Sequence, residues 1–300
     1  MEITVLYGGD STEREVSLCS GVRVVAALRE AGHGVTPLDV HGELSALELK
    51  QIKESDGVFL ALHGGAGEDG RLQAALERNG IFHYTGSAPE GAALAMHKER
   101  AKARVRQVGV PVAEGVILDR WQATLPLPTP FVCKPLCGGS SVGLSVIDRA
   151  EKWEKLAPFG HFSELMLCER YLPGREFTVG VLGTEILPAV EIRPRGGHYD
   201  YQHKYTAGAS EELCPAPLEK WEAERLSSYA KRAFDALRLR DYARIDFRES
   251  EGGEPCFLEA NTLPGMTETS LLPLAAGAVG LSFSALCERM ILLAAKRKKT

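Results

Sequence analysis

Residues 242–267 contain two short strands whose polar side chains are spaced to meet on one face. Arg244 and Asp246 lie two residues apart, and so do Glu259 and Asn261, so each pair projects from one side of its strand. A Gly-Gly turn between the strands predicts a hairpin. Two carboxylates and an amide oxygen on one face suit Mg2+, which takes oxygen ligands and completes its shell with water and substrate phosphates. An amphipathic hairpin with a solvated polar face has the same pattern, so this feature alone leaves both interpretations open.

A glycine- and serine-rich loop within residues 131–147 favours the nucleotide interpretation. Lys134 stands at the base of this phosphate loop, which continues with Gly138, Gly139, Ser140, Ser141 and Gly143. Glycines let backbone N–H groups approach an anion closely, hydroxyls add donors, and the lysine supplies positive charge. It is not a Walker A loop, because no Gly-Lys-Ser or Gly-Lys-Thr ends it and the following residues alternate like a strand. A hairpin tip without function also fits the loop taken alone. The two motifs together indicate a magnesium–nucleotide site.

Composition excludes several classes of protein. The chain has 300 residues, enough for two or three domains, and its net charge of −5 gives no footprint of a nucleic-acid-binding protein. Seven cysteines occur without a CxxC pair, and the sequence has no secretory segment or long apolar span. We therefore expect reduced thiols in a cytoplasmic protein that does not cross a membrane.

The order of apolar segments predicts three domains, at residues 1–85, 86–164 and 165–300. The first domain alternates strands and helices, which is typical of a parallel sheet, with strands at 3–7, 35–40 and 57–62. Ligands of such sheets bind beyond the carboxyl ends of the strands, where Glu13 and His63 fall.

Local signals predict the remaining elements. Thr12 and Glu15 have the spacing of a helix capping box. A polar stretch at residues 195–210, rich in Gly, Tyr, His and Lys, has the composition of a long loop that closes over a site. Other predicted elements are helices at 90–107, 219–237 and 283–295 and strands at 166–170, 176–182 and 186–191.

Five separated motifs, in one order along essentially the whole chain, resemble the D-alanine:D-alanine ligases of the ATP-grasp superfamily. They occupy residues 8–17, 63–70, 139–143, 204–205 and 259–267. The resemblance implies an α/β chain, α+β in its C-terminal half, with a parallel-sheet N-terminal domain and two domains whose antiparallel sheets hold ATP between them. It also implies a homodimer that joins two D-alanines to D-alanyl-D-alanine with ATP, through an acyl phosphate, for peptidoglycan precursor synthesis.

The resemblance assigns roles to individual residues. Asp246, Glu259 and Asn261 would bind two Mg2+ ions, with Mn2+ as the alternative metal. The ATP-binding set is Lys98, Lys134, Ser141, Glu169, Arg170, Leu172, Glu176 and Lys204. The catalytic set is Glu13, Ser140, Arg244, Tyr205 and Gly265. The set that binds the two D-alanines is Glu13, His63, Arg244, Gly265, Ser270 and Leu271.

In the arrangement implied by the family, Glu13, Ser140 and Tyr205 tie a lid over the site and keep water from the acyl phosphate. Arg244 and the Gly265 N–H stabilise the oxyanion of the tetrahedral intermediate. Outside the resemblance, several residues have purely structural interpretations: Lys98 as a solvated charge, Glu13 as a helix-dipole carboxylate, His63 as a structural histidine and Ser270 as a helix N-cap.

Two positions depart from the family pattern. Gly138 stands where an acidic residue is common, which predicts a more flexible loop and weaker ATP affinity, and Arg170 replaces a common lysine. The alternatives are a D-alanine:D-lactate ligase, another ATP-grasp carboxylate–amine ligase, and a nucleotide-binding regulator without turnover. Lys204 and Tyr205 match the peptide-forming pattern, and the retained Arg244 and metal ligands argue against a regulator.

Overall fold

Three sheets organise the chain. The computed structural model describes residues 1–139, 143–156, 161–194, 210–267 and 269–297. In these ranges a parallel sheet has three strands, and two antiparallel sheets have six and four. The strands are β1 (Glu2–Gly8), β2 (Gly34–Val40), β3 (Gly57–Leu60), β4 (Gly115–Arg120), β5 (Phe131–Pro135), β6 (Ser145–Ile147), β7 (His161–Arg170), β8 (Glu176–Leu182), β9 (Glu185–Ile186), β10 (Val190–Pro194), β11 (Ser210–Leu213), β12 (Tyr242–Glu249) and β13 (Pro255–Asn261).

Helices pack against these sheets. Those in the described residues are α1 (Arg14–Glu30), α2 (Ala46–Glu54), α3 (Gly65–Glu68), α4 (Arg71–Arg78), α5 (Pro89–Met96), α6 (Lys98–Gln107), α7 (Ala150–Glu154), α8 (Lys220–Ala236), α9 (Leu271–Ala278) and α10 (Phe283–Ala295). Within the described ranges no single helix is long and apolar enough to cross a membrane; α9 and α10 meet that test only as a pair, bent by 104°.

The parallel sheet has the strand order β2-β1-β3. Its central strand is apolar on both faces, with Ile3, Val5 and Leu6 at most 1% exposed, as expected for a parallel strand covered on both sides. Helix α1 packs against β1 and β2, and α10 packs against β3 and α1, so α10 closes the N-terminal core. Glu13 and His63 follow the carboxyl ends of β1 and β3, the edge at which ligands of such sheets bind.

The six-stranded sheet has the order β11-β10-β8-β12-β13, with β9 paired to β8. Phe177, Val179 and Val181 project from one face of β8 into an apolar core that α5, α6 and α8 also form. Thr178 and Asp246, which lie opposite each other on β8 and β12, project from the other face. One face of this sheet is therefore packed, and the part of the other face that carries Asp246 is available to build a site.

The four-stranded sheet has the order β4-β7-β5-β6. Alternation along β5 sends Phe131 and Cys133 into a small core with Trp153, and sends Lys134 to the opposite face. Cys133 Sγ lies 3.2 Å from Cys168 Sγ on β7. All seven cysteines are free thiols, as the sequence predicted. The structure confirms the predicted fold class, with one parallel and two antiparallel sheets; the three predicted domain boundaries stay predictions.

The predicted helix at residues 90–107 is wrong as one element, because the chain breaks at His97 into α5 and α6. His97 has φ −88° and ψ 94°. The Lys98 N–H donates to the Leu136 carbonyl, 3.1 Å away, instead of to an acceptor in the preceding helix. This bond fixes Lys98, the first residue of α6, beside the phosphate loop.

The predicted capping box at the start of α1 is also wrong. Glu13 occupies the N-cap position without a side-chain cap bond. Ser11 makes the turn instead: its Oγ accepts from the Glu13 N–H at 3.1 Å, and its carbonyl accepts from the Arg14 N–H at 3.2 Å. The Glu13 carboxylate is therefore not used in capping its own helix.

The predicted strand at residues 186–191 is divided into β9 and β10, because Pro188 between them has no N–H to donate to a ladder. The predicted closing loop at residues 195–210 lies outside the described residues except for Ser210, which begins β11.

Candidate active site

A cleft of about 360 Å³ lies between the two antiparallel sheets. Part of its lining is apolar, formed by Val132, Leu144, Val146, Leu172 and Leu258. The charged part of its lining is formed by Lys98, Lys134, Lys152, Glu169, Arg170, Glu176, Arg244, Asp246, Arg248 and Glu259. A cavity with an apolar wall and converging charges suits a ligand that has a flat apolar part and a polyanionic part.

The β12–β13 hairpin places the predicted metal-binding residues side by side. Arg244 lies opposite Asn261, and Asp246 lies opposite Glu259, so all four share one face. The Asp246 carboxylate is held from two directions: Arg244 donates to Oδ1 and Oδ2, both at 2.9 Å, and the Thr178 hydroxyl donates to Oδ1 at 2.6 Å. The orientation of this carboxylate is thus fixed by the protein.

This donor set fits a hard divalent cation. Asp246 and Glu259 supply carboxylate oxygens, and the amide oxygen of Asn261, which accepts the Leu263 N–H at 3.1 Å, is a third donor. In the described part of the chain, no group of three or more His, Cys, Asp and Glu side chains is placed to hold a metal. A set of two carboxylates and one amide leaves coordination positions for water and phosphate oxygens, which is how Mg2+ is usually held beside a nucleotide.

Lys98 connects the metal-binding hairpin to the phosphate loop. Its Nζ donates to the Gly138 carbonyl at 2.5 Å and lies 3.4 Å from Glu259 Oε2. The residue is only 6% exposed, so the interpretation of Lys98 as a solvated surface charge is wrong. A buried cation between a carboxylate and a glycine-rich loop is well placed to bind an anion.

Glu169 on β7 forms buried ion pairs with two lysines. Its Oε1 pairs with Lys134 on β5, and its Oε2 pairs with Lys102 on α6. The residues Glu169, Lys134 and Lys102 are 3%, 8% and 2% exposed. We call these three residues the lysine–glutamate cluster.

The cluster keeps Glu169 ionised. Burial alone would raise the pKa of Glu169, but attraction to Lys134 and Lys102 outweighs burial and lowers the pKa to about 2. Burial lowers the pKa of Lys102, and repulsion from Lys134 lowers it further. Attraction to Glu169 acts in the opposite direction but does not outweigh burial. Burial also acts to lower the pKa of Lys134, but Glu169 and Glu259 outweigh it and raise the pKa. Glu169 therefore presents an acceptor-only carboxylate to the cleft.

The departure at Gly138 has a structural reason. Its φ is +110°, a conformation that side-chain-bearing residues rarely adopt, and an added Cβ would meet nothing within 4 Å. Backbone conformation, not lack of space, therefore requires glycine here. The weaker ATP affinity expected from this glycine stays a prediction.

Glu13 lies between the phosphate loop and the glycine turn that follows β3. A Cβ added to Gly64 would lie 2.7 Å from Glu13 Oε2, and one added to Gly139 would lie 3.8 Å from the same atom. The positive end of α1 also favours a carboxylate at this position. The fold thus brings the first predicted substrate-binding residue to the end of the phosphate loop.

His63 has protein partners at both ring nitrogens. Nδ1 lies 3.0 Å from the Leu263 carbonyl, which can only accept, so Nδ1 carries the proton. Nε2 then accepts from the Ser20 hydroxyl at 2.9 Å, and Ser20 Oγ accepts the Met266 N–H at 3.3 Å. These bonds connect the turn after β3 to residues 263–266. The predicted role of His63 in orienting substrate stays a prediction, and the geometry supports a role through this connection.

The segment from Gly265 to α9 is tightly folded. A Cβ added to Gly265 would lie 2.8 Å from Ser270 Oγ, so the position has no room for a side chain. Ser270 occupies the N-cap position of α9 but makes no side-chain cap bond, and its Oγ accepts the Thr267 N–H at 2.9 Å. The interpretation of Ser270 as a simple N-cap is therefore wrong. The first N–H groups of α9, which begins at Leu271, are not capped by this side chain.

The predicted adenine-binding segment follows β7. Arg170, Leu172 and Glu176 all line the cleft. Glu176 accepts from Arg248 at 3.2 Å, and the Arg248 guanidinium lies 5.3 Å from the centre of the Tyr171 ring. Arg248 therefore fixes both a carboxylate and an aromatic ring at the wall of the cleft.

Four predicted site residues lie outside the described residues: Ser140, Ser141, Lys204 and Tyr205. Sequence reasoning missed Lys102, Thr178 and Arg248. Each could have been found from periodicity, because Lys102 is four residues from Lys98 on a helix, and the other two lie two residues from Glu176 and Asp246 on strands.

Comparison with known proteins agrees with this geometry. Residues 106–292 match the family model described as D-ala D-ala ligase C-terminus. A D-alanine--D-alanine ligase of Granulibacter bethesdensis is 43% identical over 296 residues, which cover 96% of each chain. The structure of a Bacillus anthracis D-alanine--D-alanine ligase complexed with ATP is 28% identical, with a TM-score of 0.82, and the match covers 100% of this chain and 99% of that one. The VanG D-Ala:D-Ser ligase of Enterococcus faecalis is also 28% identical, with a TM-score of 0.81 and coverage of 98% and 99%. The chain belongs to the D-alanine–D-alanine ligase family.

Proposed function

We propose that this chain joins two D-alanine molecules into D-alanyl-D-alanine at the expense of ATP, for peptidoglycan precursor synthesis. One observation carries the proposal: the metal-binding hairpin, the phosphate loop and the lysine–glutamate cluster meet in one cleft between the two antiparallel sheets. The carboxylate oxygen of the first D-alanine attacks the γ-phosphorus and ADP leaves. The amine of the second D-alanine then attacks the carbonyl carbon of the acyl phosphate, and phosphate leaves.

Nucleotide binding uses both walls of the cleft. Lys98 and Lys134 contact the phosphates, which is supported by their burial at the end of the phosphate loop. The base lies against Arg170 and Leu172, with its edge toward Glu169, and Glu176 accepts from the ribose hydroxyls. Ser141 and Lys204 remain predicted ATP ligands.

Asp246, Glu259 and Asn261 would hold Mg2+, with two ions expected and Mn2+ as the alternative metal. A bound metal supplies positive charge to the phosphate oxygens. The support for this assignment is their shared face on the hairpin and the fixed orientation of Asp246. Lys98, 3.4 Å from Glu259, balances this acidic group on its other side.

The two amino acids bind beyond the phosphates. Glu13 pairs with the ammonium of the first D-alanine, and its position between Gly64 and Gly139 supports this role. Arg244 and the Gly265 N–H stabilise the negative oxygen of the tetrahedral intermediate, while Ser270 and the Leu271 N–H receive the carboxylate of the second D-alanine. The predicted lid contacts of Ser140 and Tyr205 with Glu13, and the orienting role of His63, belong to the same proposal.

We also propose that the protein is cytoplasmic, homodimeric and independent of nucleic acids and membranes. Free thiols support a reducing compartment, and the net charge of −5 does not favour nucleic acid. Sedimentation equilibrium measures the assembly state directly: a mass twice 32.5 kDa is expected, and a monomer would remove the dimer from the proposal.

The experiment that tests the function is phosphate release by the purified protein with ATP and Mg2+, with the product identified by mass. D-alanine is compared with L-alanine and with mixtures of D-alanine and D-lactate or D-serine. We expect release that depends on D-alanine and a product with the mass of D-alanyl-D-alanine. A mixed product formed in preference to the dipeptide would assign the chain to a depsipeptide-forming or D-serine-using branch. ATP binding without D-alanine-dependent release would contradict ligation.

A further inference from the structure

Lys102 is a buried, charged residue with no assigned role in the proposed reaction. It lies on α6, its side chain is 3% exposed, and it pairs with Glu169 Oε2. Among the described residues, Glu169 and Lys134 line the cleft, whereas Lys102 does not. Lys102 therefore contacts Glu169 from behind, that is, from outside the lining of the cleft.

Neutralising Glu169 does not explain Lys102. Lys134 already pairs with the other oxygen of the carboxylate. The cluster thus holds two cations and one anion. Glu259 attracts both lysines from outside the cluster, but burial still lowers the pKa of Lys102, so the second cation remains costly without a further gain. The gain that the geometry offers is orientation, because a carboxylate held at both oxygens cannot rotate about its terminal bond.

A carboxylate fixed and ionised in this way is selective. Its two oxygens have about four lone-pair sites and no proton to donate, so the lone pairs left by the lysines accept only from a donor in the cleft. Adenine carries an amino donor at position 6, whereas guanine carries a carbonyl acceptor there. A guanine carbonyl facing this carboxylate would be repelled by it and would be left buried without a donor, and a site that leaves a buried polar group unpaired rejects that ligand strongly.

We propose that Lys102 is a positioning residue for nucleotide choice: by holding Glu169 Oε2 from behind, it fixes this carboxylate as an acceptor for the amino group of adenine and thereby disfavours guanine. This inference rests on the proposed nucleotide site, with Glu169 at the edge of the base. It concerns binding and makes no demand on the chemical step.

The test is Lys102→Met, with the affinities of wild type and variant for ATP and GTP measured by calorimetry and the steady-state constants measured in parallel. Methionine retains most of the apolar stem, and the remaining Lys134–Glu169 pair is balanced, so the variant is expected to fold. Arg106→Met is the matched control, since it removes one positive charge from an exposed position of the same helix. Lys102→Gln is the second variant, because its amide can still donate to Glu169 without carrying charge.

We expect Lys102→Met to weaken ATP about tenfold, the value of one hydrogen bond, while GTP is unchanged or tighter. KM for ATP then rises with little change in kcat. Lys102→Gln restores part of the discrimination between ATP and GTP, and Arg106→Met leaves it unchanged. If Lys102→Met does not fold, Lys102→Gln carries the same comparison, and a reduced ratio of ATP to GTP affinity is again the expected result.

Two results would overturn the inference. Equal weakening of ATP and GTP would make Lys102 a general source of positive potential for phosphates. Unchanged affinity for both would make it a structural ion pair. Because binding is measured without turnover, failure of the inference is distinct from failure of the proposed function, which D-alanine-dependent ligation by the wild type decides.

Discussion

Replacing Thr178 with valine tests the metal assignment without touching a proposed metal ligand. The Thr178 hydroxyl is buried on β8 and donates to Asp246 Oδ1 at 2.6 Å. Valine has nearly the same shape but no donor. Asp246 then keeps its two bonds from Arg244, both at 2.9 Å, and loses the one that approaches from the neighbouring strand.

The size of the effect follows from the number of bonds lost. Removal of a partner that orients a metal ligand typically reduces metal affinity 10- to 100-fold. Two of the three hydrogen bonds from protein side chains to Asp246 remain in this variant. We therefore expect the Mg2+ affinity to fall by the lower limit of this range, about tenfold, which corresponds to about 1.4 kcal/mol. The folded state itself should lose about 1.5–3 kcal/mol, the usual contribution of one hydrogen bond to a charged group.

The assay is the rate of D-alanine-dependent phosphate release against free Mg2+ at saturating nucleotide. The half-saturating concentration should rise about tenfold in Thr178→Val, with a maximal rate close to that of the wild type. Thr178→Ser is the matched control, since it keeps the hydroxyl and loses only a methyl group. An unchanged Mg2+ dependence in Thr178→Val, or an equal shift in Thr178→Ser, would refute the reasoning.

Four further outcomes are expected. Glu259→Gln should abolish ligation with the thermal midpoint nearly unchanged, and near-normal turnover would remove Glu259 from the metal site. Arg244→Ala should lower kcat by about 10² to 10³ as an oxyanion donor is lost; an effect confined to KM would argue against that role. Gly138→Ala should lower the free energy of unfolding in urea by about 1 kcal/mol, because the φ of Gly138 is +110° and alanine adopts this conformation at a cost. Gly139→Ala is the comparison: the φ of Gly139 is not positive, so its substitution should lower the free energy of unfolding less. Burial raises the pKa of Glu169, but the two lysines outweigh burial and lower the pKa from an ordinary 4.5 to about 2. The ionised carboxylate therefore stabilises the folded state fully above pH 4.5, and this stabilisation is lost as the pH falls toward 2. The difference in unfolding free energy between wild type and Glu169→Gln should therefore shrink only in that window, and a difference that is constant down to pH 3 would contradict the assigned ion pairs.

Much of the site was predictable because strand periodicity is a local property. The two-residue spacing of Arg244 and Asp246, and of Glu259 and Asn261, was enough to place all four on one face, and the hairpin register confirms it. The parallel N-terminal sheet followed in the same way from its apolar strands.

Contacts between distant segments could not be read from local pattern. The break at His97 depends on a bond from the Lys98 N–H to Leu136, 38 residues away along the chain. The pairing of Lys102 with Glu169 joins residues 67 positions apart. Both are set by packing of α6 against the sheets, which helix propensity does not encode.

Side-chain contacts at the start of α9 could not be predicted from the sequence either, although they join residues close together in the chain. Ser270 has the sequence position of an N-cap, yet its hydroxyl turns back to Thr267. A serine hydroxyl at a helix start can bond either to the helix N–H groups or to the preceding turn, and in this structure it bonds to the turn that contains Gly265 and Thr267.

The most direct test of the proposed reaction follows the oxygen atoms of the first substrate. D-alanine labelled with ¹⁸O in both carboxylate oxygens is incubated with the protein, ATP and Mg2+, and the released phosphate is analysed by ³¹P NMR and mass spectrometry. Attack on the γ-phosphorus followed by loss of phosphate predicts one ¹⁸O in each phosphate released per dipeptide formed. Phosphate without label, formed together with the dipeptide, would contradict the acyl phosphate and with it the proposed mechanism.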